Sequence, residues 1–201
     1  MSEIKWGLIS KVDADCLMKT IDLIAESNTD GFINILECGV YAGQTGNAFR
    51  EYVKFKKLEI CLTGVDSGKD GEVMRFEYDR LIKGNSNEVY NQIPDESQDI
   101  VFIDANHSFP YVVSDYYCYG SKVKPGGYLC FHDAAPQAQG RGWQLVGDKN
   151  DPDMSIAVMK ALDRIGLLDT HLCEVLGWQL VSHEWDGNDE NGGTIIFKKV
   201  K

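Results

Sequence analysis

The feature that most constrains this chain is an alternation. Short apolar runs of strand length recur along it, separated by stretches whose apolar residues fall at helical spacing. Strand patterns lie at Phe32 to Val40, Ile60 to Val65, a short run just before Gly84, Asp99 to Asp104 (DIVFID) and Gly126 to Asp133 (GGYLCFHD). Helical patterns cover Val12 to Ala25, with Leu17, Ile21 and Ile24 on one face and Asp13 as the cap, then Asn47 to Phe55, Met74 to Ile82, Pro110 to Tyr119 behind Ser108, and Met154 to Leu167. Strand, helix, strand in that order predicts parallel pairing through right-handed crossovers. The expected fold is therefore α/β, a doubly wound, mostly parallel sheet with helices on both faces. The tail breaks the alternation: WQLVSHEWDG and GGTIIFKK are strand patterns joined by the turn-rich DGNDENGG, which predicts a C-terminal antiparallel hairpin.

Composition bounds the function. The 201 residues contain no repeat and no linker, so residues 1–201 are expected to form one domain, with 1–30 as an N-terminal helical segment. Six cysteines are spread along the chain with no CxxC pair, which favours reduced core thiols over a disulfide framework or a zinc site. No run approaches the length of a membrane span, and MSEIKWGLIS lacks the regions of a signal peptide, so a cytoplasmic protein without a membrane partner is expected. The net charge of -11 repels phosphate backbones and argues against nucleic acid. A small or uncharged substrate fits better.

In doubly wound sheets, ligands bind outside the carboxyl ends of the strands, where strand order reverses. The residues at those ends are ECGVYAGQTG (Glu37 to Gly46), Asp66, Gly84 to Ser86, Asp104 to His107, and His132 with Asp133. Gly39, Gly43 and Gly46 admit positive φ and leave backbone amides open to a ligand before a helix N-terminus. Their spacing misses G-x-G-x-x-G, which weakens a nicotinamide reading. Asp66 ends a strand roughly 20 residues further on, where a carboxylate can accept both ribose hydroxyl hydrogens of a nucleoside. Read alone, the glycines also fit an ordinary strand-to-helix turn, and Asp66 a turn cap.

Taken in order, these fragments resemble the class I S-adenosylmethionine-dependent methyltransferases, from about Phe32 to Lys199. ECGVYAG is similar to their first motif, GVDSG to their second, and GNS to the segment bordering adenine. The stretch from PDESQDIVFIDANHSFPYV to KPGGYLCFHD is similar to their fourth strand, helix and fifth strand. The resemblance implies a Rossmann-like, seven-stranded sheet whose last strand inserts antiparallel. It is closest to small-molecule O-methyltransferases, the catechol type and the bacterial macrolide-sugar type.

On that resemblance, Glu37 helps hold the methionine amino group, Thr45 meets its carboxylate, and Tyr41 lies beside the sulfonium, although Tyr41 also reads as a core tyrosine. Gly39 and Gly43 shape the loop, Asp66 takes the ribose, Asn85 and Ser86 border the adenine, and Asp104 completes the S-adenosylmethionine set. The relatives hold Mg²⁺ at positions that here read Asp104, His132 and Asp133. His132 departs from their acid or amide, so it shifts the preference toward another divalent metal, points elsewhere, or marks a site without metal. His107, three residues past Asp104, is the candidate base, with His132 second. His171 and His183 receive no chemistry. Residues 134–153 form the expected substrate loop, with Arg141 and Trp143 as contacts.

The expected function is S-adenosylmethionine-dependent O-methylation of a small hydroxylated acceptor, a sugar or a phenol, by a chain that pairs as a homodimer. Alternatives are metal-independent N- or O-methylation, a catalytically silent cofactor-binding module, and an NAD-dependent dehydrogenase.

Overall fold

The computed structural model describes residues 4, 9–27, 31–68, 78–136, 157–186 and 192–201. Seven strands form one sheet: β1 (Phe32–Cys38), β2 (Glu59–Asp66), β3 (Arg80–Lys83), β4 (Gln98–Ile103), β5 (Val123–Phe131), β6 (Trp178–Glu184) and β7 (Thr194–Lys199). Their spatial order is β3-β2-β1-β4-β5-β7-β6. Strands β1 to β5 are parallel, and β7 runs antiparallel to both of its neighbours. This is the doubly wound, Rossmann-like sheet with a C-terminal hairpin that the alternation predicts. The order reverses between β1 and β4, which makes their carboxyl ends the switch point.

Helices α1 (Lys11–Ser27) and α2 (Gln44–Phe55) cover one face of the sheet, and α4 (Phe109–Tyr119) and α5 (Val158–Ile165) cover the other. The short α3 (Ser86–Val89) follows β3, and α6 (Thr170–Val175) precedes β6. Side chains alternate along each strand, so two apolar layers result. Ile33, Ile35, Leu62, Ile100, Phe102, Cys130 and Ile196 pack on Leu17, Ile21, Phe49 and Val53. Leu36, Cys38, Val65, Val101, Ile103, Leu129 and Phe131 pack on Val112, Tyr119, Ala161 and Leu162. All six cysteines are free thiols, and Cys16, Cys38, Cys130 and Cys173 lie buried in these layers.

The same alternation positions the chemistry. Continued by two residues beyond Ile35, Phe102, Cys130 and Ile196, and by four beyond Leu62, it places Glu37, Asp104, His132, Thr194 and Asp66 toward the α1 and α2 face. A set of acids and one histidine thus meets at one corner of the sheet.

Three local expectations are corrected. Arg80–Lys83 is a strand, although the pattern read Met74 to Ile82 as helix; Leu81 and Ile82 suit either period, and pairing with β2 (Thr63 opposite Arg80 through Asp66 opposite Lys83) decides it. Residues 69–77 lie outside the described residues. Asp13 is not the cap of α1. Ser10 takes that place: its hydroxyl accepts from the Asp13 amide at 3.2 Å while Asp13 Oδ2 accepts from the Ser10 amide at 3.2 Å, a reciprocal capping box. Strand β5 ends at Phe131, two residues short of the expected Asp133, because Asp133 adopts φ +53° and turns the chain away.

Candidate active site

The first loop is shaped more by protein than by ligand. Gly39 has φ +93°, and a Cβ there would lie 1.9 Å from the Asp104 carbonyl oxygen. Only glycine lets the exits of β1 and β4 pass so closely, locked by Gly39 N donating to Val65 O (2.9 Å) and Asp104 N to Cys38 O (2.8 Å). Gly43, at φ +73°, closes the loop and starts α2 three residues earlier than the expected Asn47. Thr45 is buried in that first turn. Tyr41 is 55% exposed, which removes the core-tyrosine reading and puts its ring at the mouth of the loop.

Asp66 is held by two amides, Tyr41 N to Oδ2 at 2.9 Å and Gly68 N to Oδ1 at 2.6 Å. It acts as a turn acid and is at the same time oriented at the strand end, each oxygen retaining a lone pair for a hydroxyl. On the far side of β3, Asn85 Nδ2 donates to Glu88 Oε1 (3.0 Å). Ser86 is buried, and its hydroxyl donates to Asp115 Oδ1 on α4 at 2.5 Å. The Ser86 side chain is therefore turned into the protein.

Glu37 is almost completely buried. Burial drives its pKa up to about 8, and the charges of Asp104 and Asp66 push in the same direction, against a hydrogen bond from the Tyr78 hydroxyl to Oε2 at 2.5 Å.

Around β4 and β5 the balance is reversed. His107 spans two carboxylates, with Nε2 3.0 Å from Asp104 Oδ1 and Nδ1 3.0 Å from Asp133 Oδ2. His132 Nδ1 lies 3.2 Å from the same Asp104 oxygen and 3.6 Å from Asp133 Oδ1, while its Nε2 lies 3.4 Å from Asp13 Oδ2. Burial works against the charge on Asp104, but His132 and His107 outweigh it and hold the carboxyl well below the usual range. Burial likewise opposes the His132 cation, yet Asp104, Asp13 and Asp133 raise its pKa well above the ordinary value. Asp13 is fully buried and also accepts from Thr194 Oγ1 at 2.7 Å and Ser10 Oγ at 2.7 Å; together with His132 these keep its pKa low despite burial.

The structure thus brings Asp104, His107, His132 and Asp133 together. Among the described residues, the ligand atoms of Asp104, His107 and Asp133 lie within 4.8 Å of one another, close enough to converge on one cation. Both nitrogens of His132 face carboxylates, Asp104 and Asp13. Of the expected substrate loop, Ala134 to Pro136 are described, and Arg141 and Trp143 lie outside the described residues. Ala134 N and Ala135 N donate to Gly193 O and Gly192 O, both at 2.9 Å, and His183 Nε2 lies 2.8 Å from Ala134 O, which is its structural task.

Sequence reasoning missed Asp13, Thr194, Tyr78 and Asp115. The two-residue period of β7 carried the signal for Thr194, since it shares a face with Ile196 and faces α1. Nothing in the sequence marks Tyr78 as a site residue, since the pattern read it as one position of a Met74 to Ile82 helix.

A seven-stranded sheet in this order, with carboxylates gathered at the switch point, is the architecture of methyltransferases, and residues 36–134 match the family described as "Methyltransferase domain". That match spans just under half of the chain. It is 30% identical over 130 residues to a Mycobacterium avium (strain 104) protein that bears the provisional name O-methyltransferase, an alignment covering 63% of this chain and 49% of that protein. The chain spans about half the length of the curated relatives it matches. In fold it is similar to an O-methyltransferase from Bacillus cereus in complex with S-adenosylhomocysteine (TM-score 0.62, 13% identity, 96% of this chain and 84% of that one). It is also similar to MycE methyltransferase from the mycinamycin biosynthetic pathway, in complex with Mg and S-adenosylhomocysteine (TM-score 0.56, 18% identity, 87% and 47%). No helix among the described residues is long and apolar enough to cross a membrane.

Proposed function

We propose that the chain transfers the methyl group of S-adenosylmethionine to a hydroxyl oxygen of a small molecule, a sugar or a phenol. The observation that carries this reading is the gathering of Glu37, Asp66 and Asp104 at the switch point, where Glu37 is buried and, among the described residues, acted on by acids and not by a cation. A ligand with an ammonium, a sulfonium and a ribose diol is the complement of that surface. Asp66 accepts from the ribose hydroxyls, Tyr41 lies beside the sulfonium, where a ring face tolerates positive charge, and the first turn of α2 at Thr45 receives the methionine carboxylate. Asn85 and Ser86 border the adenine through the backbone, since the Ser86 hydroxyl is engaged by Asp115.

The acceptor oxygen attacks the methyl carbon in line, the carbon–sulfur bond breaks, and the sulfonium leaves as a thioether. The acceptor hydroxyl displaces one carboxylate from His107 and passes its proton to the ring nitrogen so freed, while the other carboxylate, Asp104 or Asp133, holds the ring in place. His132 stays fixed as a cation that keeps Asp104 ionised. A second reading is favoured by the convergence of Asp104, His107 and Asp133. Those residues suit a divalent ion that accepts one nitrogen and two carboxylates, and such an ion supplies Lewis acidity that lowers the pKa of the acceptor hydroxyl. In this set His107 stands where the sequence reading put His132, because it is the ligand atoms of His107, Asp104 and Asp133 that converge within 4.8 Å, while His132 also reaches Asp13 on α1.

Calorimetry with S-adenosylhomocysteine tests the cofactor reading: binding is expected, and Asp66→Ala should weaken it at least tenfold. Binding indifferent to Asp66→Ala, or preferential binding of NADH, refutes it. A screen of hydroxylated acceptors with labelled methyl donor identifies the substrate class. With an acceptor in hand, EDTA divides the two readings of the cluster: turnover undiminished in chelator removes the metal, while loss restored by Mg²⁺ or Mn²⁺ supports it. Residues 1–201 are proposed to act as one domain, with acceptor choice residing in 134–153 and a homodimer as the working state.

A further inference from the structure

Tyr78 belongs to no motif, helix or strand, and yet the fold makes room for it twice. A Cβ on Gly46, in the first turn of α2, would come within 2.1 Å of the Tyr78 hydroxyl, and a Cβ on Gly64, in β2, within 2.8 Å of its ring carbon Cδ1. The ring therefore occupies a slot whose two walls are glycines, one on a helix and one on a strand, positions where glycine weakens the element it sits in. The slot ends at Glu37, whose Oε2 would lie 2.9 Å from the same Gly46 Cβ and accepts from the Tyr78 hydroxyl at 2.5 Å. Gly46 was read from the sequence as part of a cofactor loop. In the structure its missing side chain admits a tyrosine.

The groups that face Glu37 explain why such a donor is useful. Asp66 and Asp104 act on it as like charges, and both favour its neutral form. Tyr78 is the neighbour that favours the carboxylate, and its own proton is secured by burial and by the Glu37 charge, so it remains a donor. Arg50, across from Tyr78, acts on the phenol in the opposite sense and does not change that outcome. A carboxylate gripped at one oxygen has a fixed plane, and its second oxygen points in a fixed direction.

We propose that Tyr78 is a positioning residue for the amino-acid end of the cofactor, gripping one oxygen of Glu37 so that the other accepts from the ligand's α-ammonium group. This rests on the cofactor reading of the preceding section and adds a residue that no motif assigns. It makes one distinctive demand: Tyr78 matters only for ligands that carry the ammonium group.

The test uses the full chain and two probes in calorimetry, S-adenosylhomocysteine and 5′-methylthioadenosine, which shares the nucleoside and lacks the amino-acid end. Tyr78→Phe keeps the slot filled and removes only the hydroxyl; unchanged far-ultraviolet circular dichroism serves as the check on folding. Tyr78→Phe is expected to weaken S-adenosylhomocysteine about tenfold and methylthioadenosine less than twofold. In a Glu37→Gln background the same substitution should change neither ligand by more than about twofold, because its route to the ligand is gone. Equal losses on both probes, no loss on S-adenosylhomocysteine, or an undiminished loss in the Glu37→Gln background overturns the proposal and leaves the cofactor reading standing. A wild-type chain that binds neither probe overturns the cofactor reading itself, and this inference with it.

Discussion

The two halves of the cleft are built from the same residue types and solve opposite electrostatic problems. On the β1 and β2 side, the donors to Glu37 and Asp66 among the described residues are neutral: the Tyr78 hydroxyl and the amides of Tyr41 and Gly68. On the β4 and β5 side, every carboxylate has an imidazole, with His107 between Asp104 and Asp133 and His132 between Asp104 and Asp13. The result is a raised carboxyl at Glu37 and a depressed one at Asp104 on the adjacent strand. The first half is incomplete without an external cation. The second carries its own, and so can hold its shape while a proton moves. On the proposed function, the first half binds the cofactor and the second carries the chemistry.

The hardest test of that division is His107→Gln, which retains hydrogen-bonding capacity and cannot act as base. Turnover should fall by roughly 10² to 10³, within the usual contribution of a general base, while S-adenosylhomocysteine affinity stays within about twofold. If affinity falls as far as turnover, the halves are not separable. If neither changes, His107 is not the base.

His132→Gln probes the internal cation. It leaves Asp13 and Asp104 buried beside a neutral group, and removal of one partner from such a cluster costs about 3 kcal/mol. The sign follows from both partners. His132 is raised in the folded state, so its contribution is complete below about pH 6.5 and lost as pH rises through its elevated folded value; Asp104 is depressed, so its contribution is complete above about pH 3.9 and lost as pH falls through its low folded value. The destabilisation measured by urea unfolding should therefore be largest between about pH 4 and 6.5. A difference that grows steadily above pH 8 contradicts the cationic assignment.

How much of this was legible beforehand varies by residue, and the reason is distance along the chain. The seven strands, their parallel pairing and the hairpin follow from local periodicity, and the site positions Asp66, Asp104, His107, His132 and Asp133 follow from lying just past strand ends. The short strand expected before Gly84 is Arg80–Lys83, and only the end of the Met74 to Ile82 helical reading was misplaced, because four residues with two central apolar positions carry no period of their own; pairing with the edge of β2 makes them a strand. Gly39 and Gly46 were singled out for a ligand's approach, and the fold adds contacts that no local pattern carries: they accommodate the Asp104 backbone and the Tyr78 ring. Asp13 was read as a local cap, and its partners His132 and Thr194 stand 119 and 181 residues away. Such a hub exists only once α1 has docked across β5 and β7, so no pattern within α1 can announce it.

The smallest expected change in function separates the halves most cleanly. Glu37 binds its proton in the folded chain up to about pH 8, while its ordinary value is 4.5. Between those values the folded state holds a proton that the unfolded state has released, so this residue makes the ligand-free protein less stable as pH rises, by about 5 kcal/mol at most, and the loss is complete above pH 8. Glu37→Gln removes the charge and keeps the acceptor for Tyr78. The ligand-free variant should melt at the wild-type temperature near pH 4.5 and up to about 10–20 °C higher at pH 9, at roughly 2–4 °C per kcal/mol for a chain of this size. Its affinity for S-adenosylhomocysteine should fall about tenfold at pH 9 and by less at pH 4.5, where wild-type Glu37 must first release its proton to bind the ammonium group. A variant that melts lower than wild type at pH 9 would mean that the Glu37 carboxylate is already satisfied without a cation, and the contrast between the two halves would collapse. A higher melting temperature bought with weaker binding is the signature of a buried acid kept for its ligand rather than for the fold.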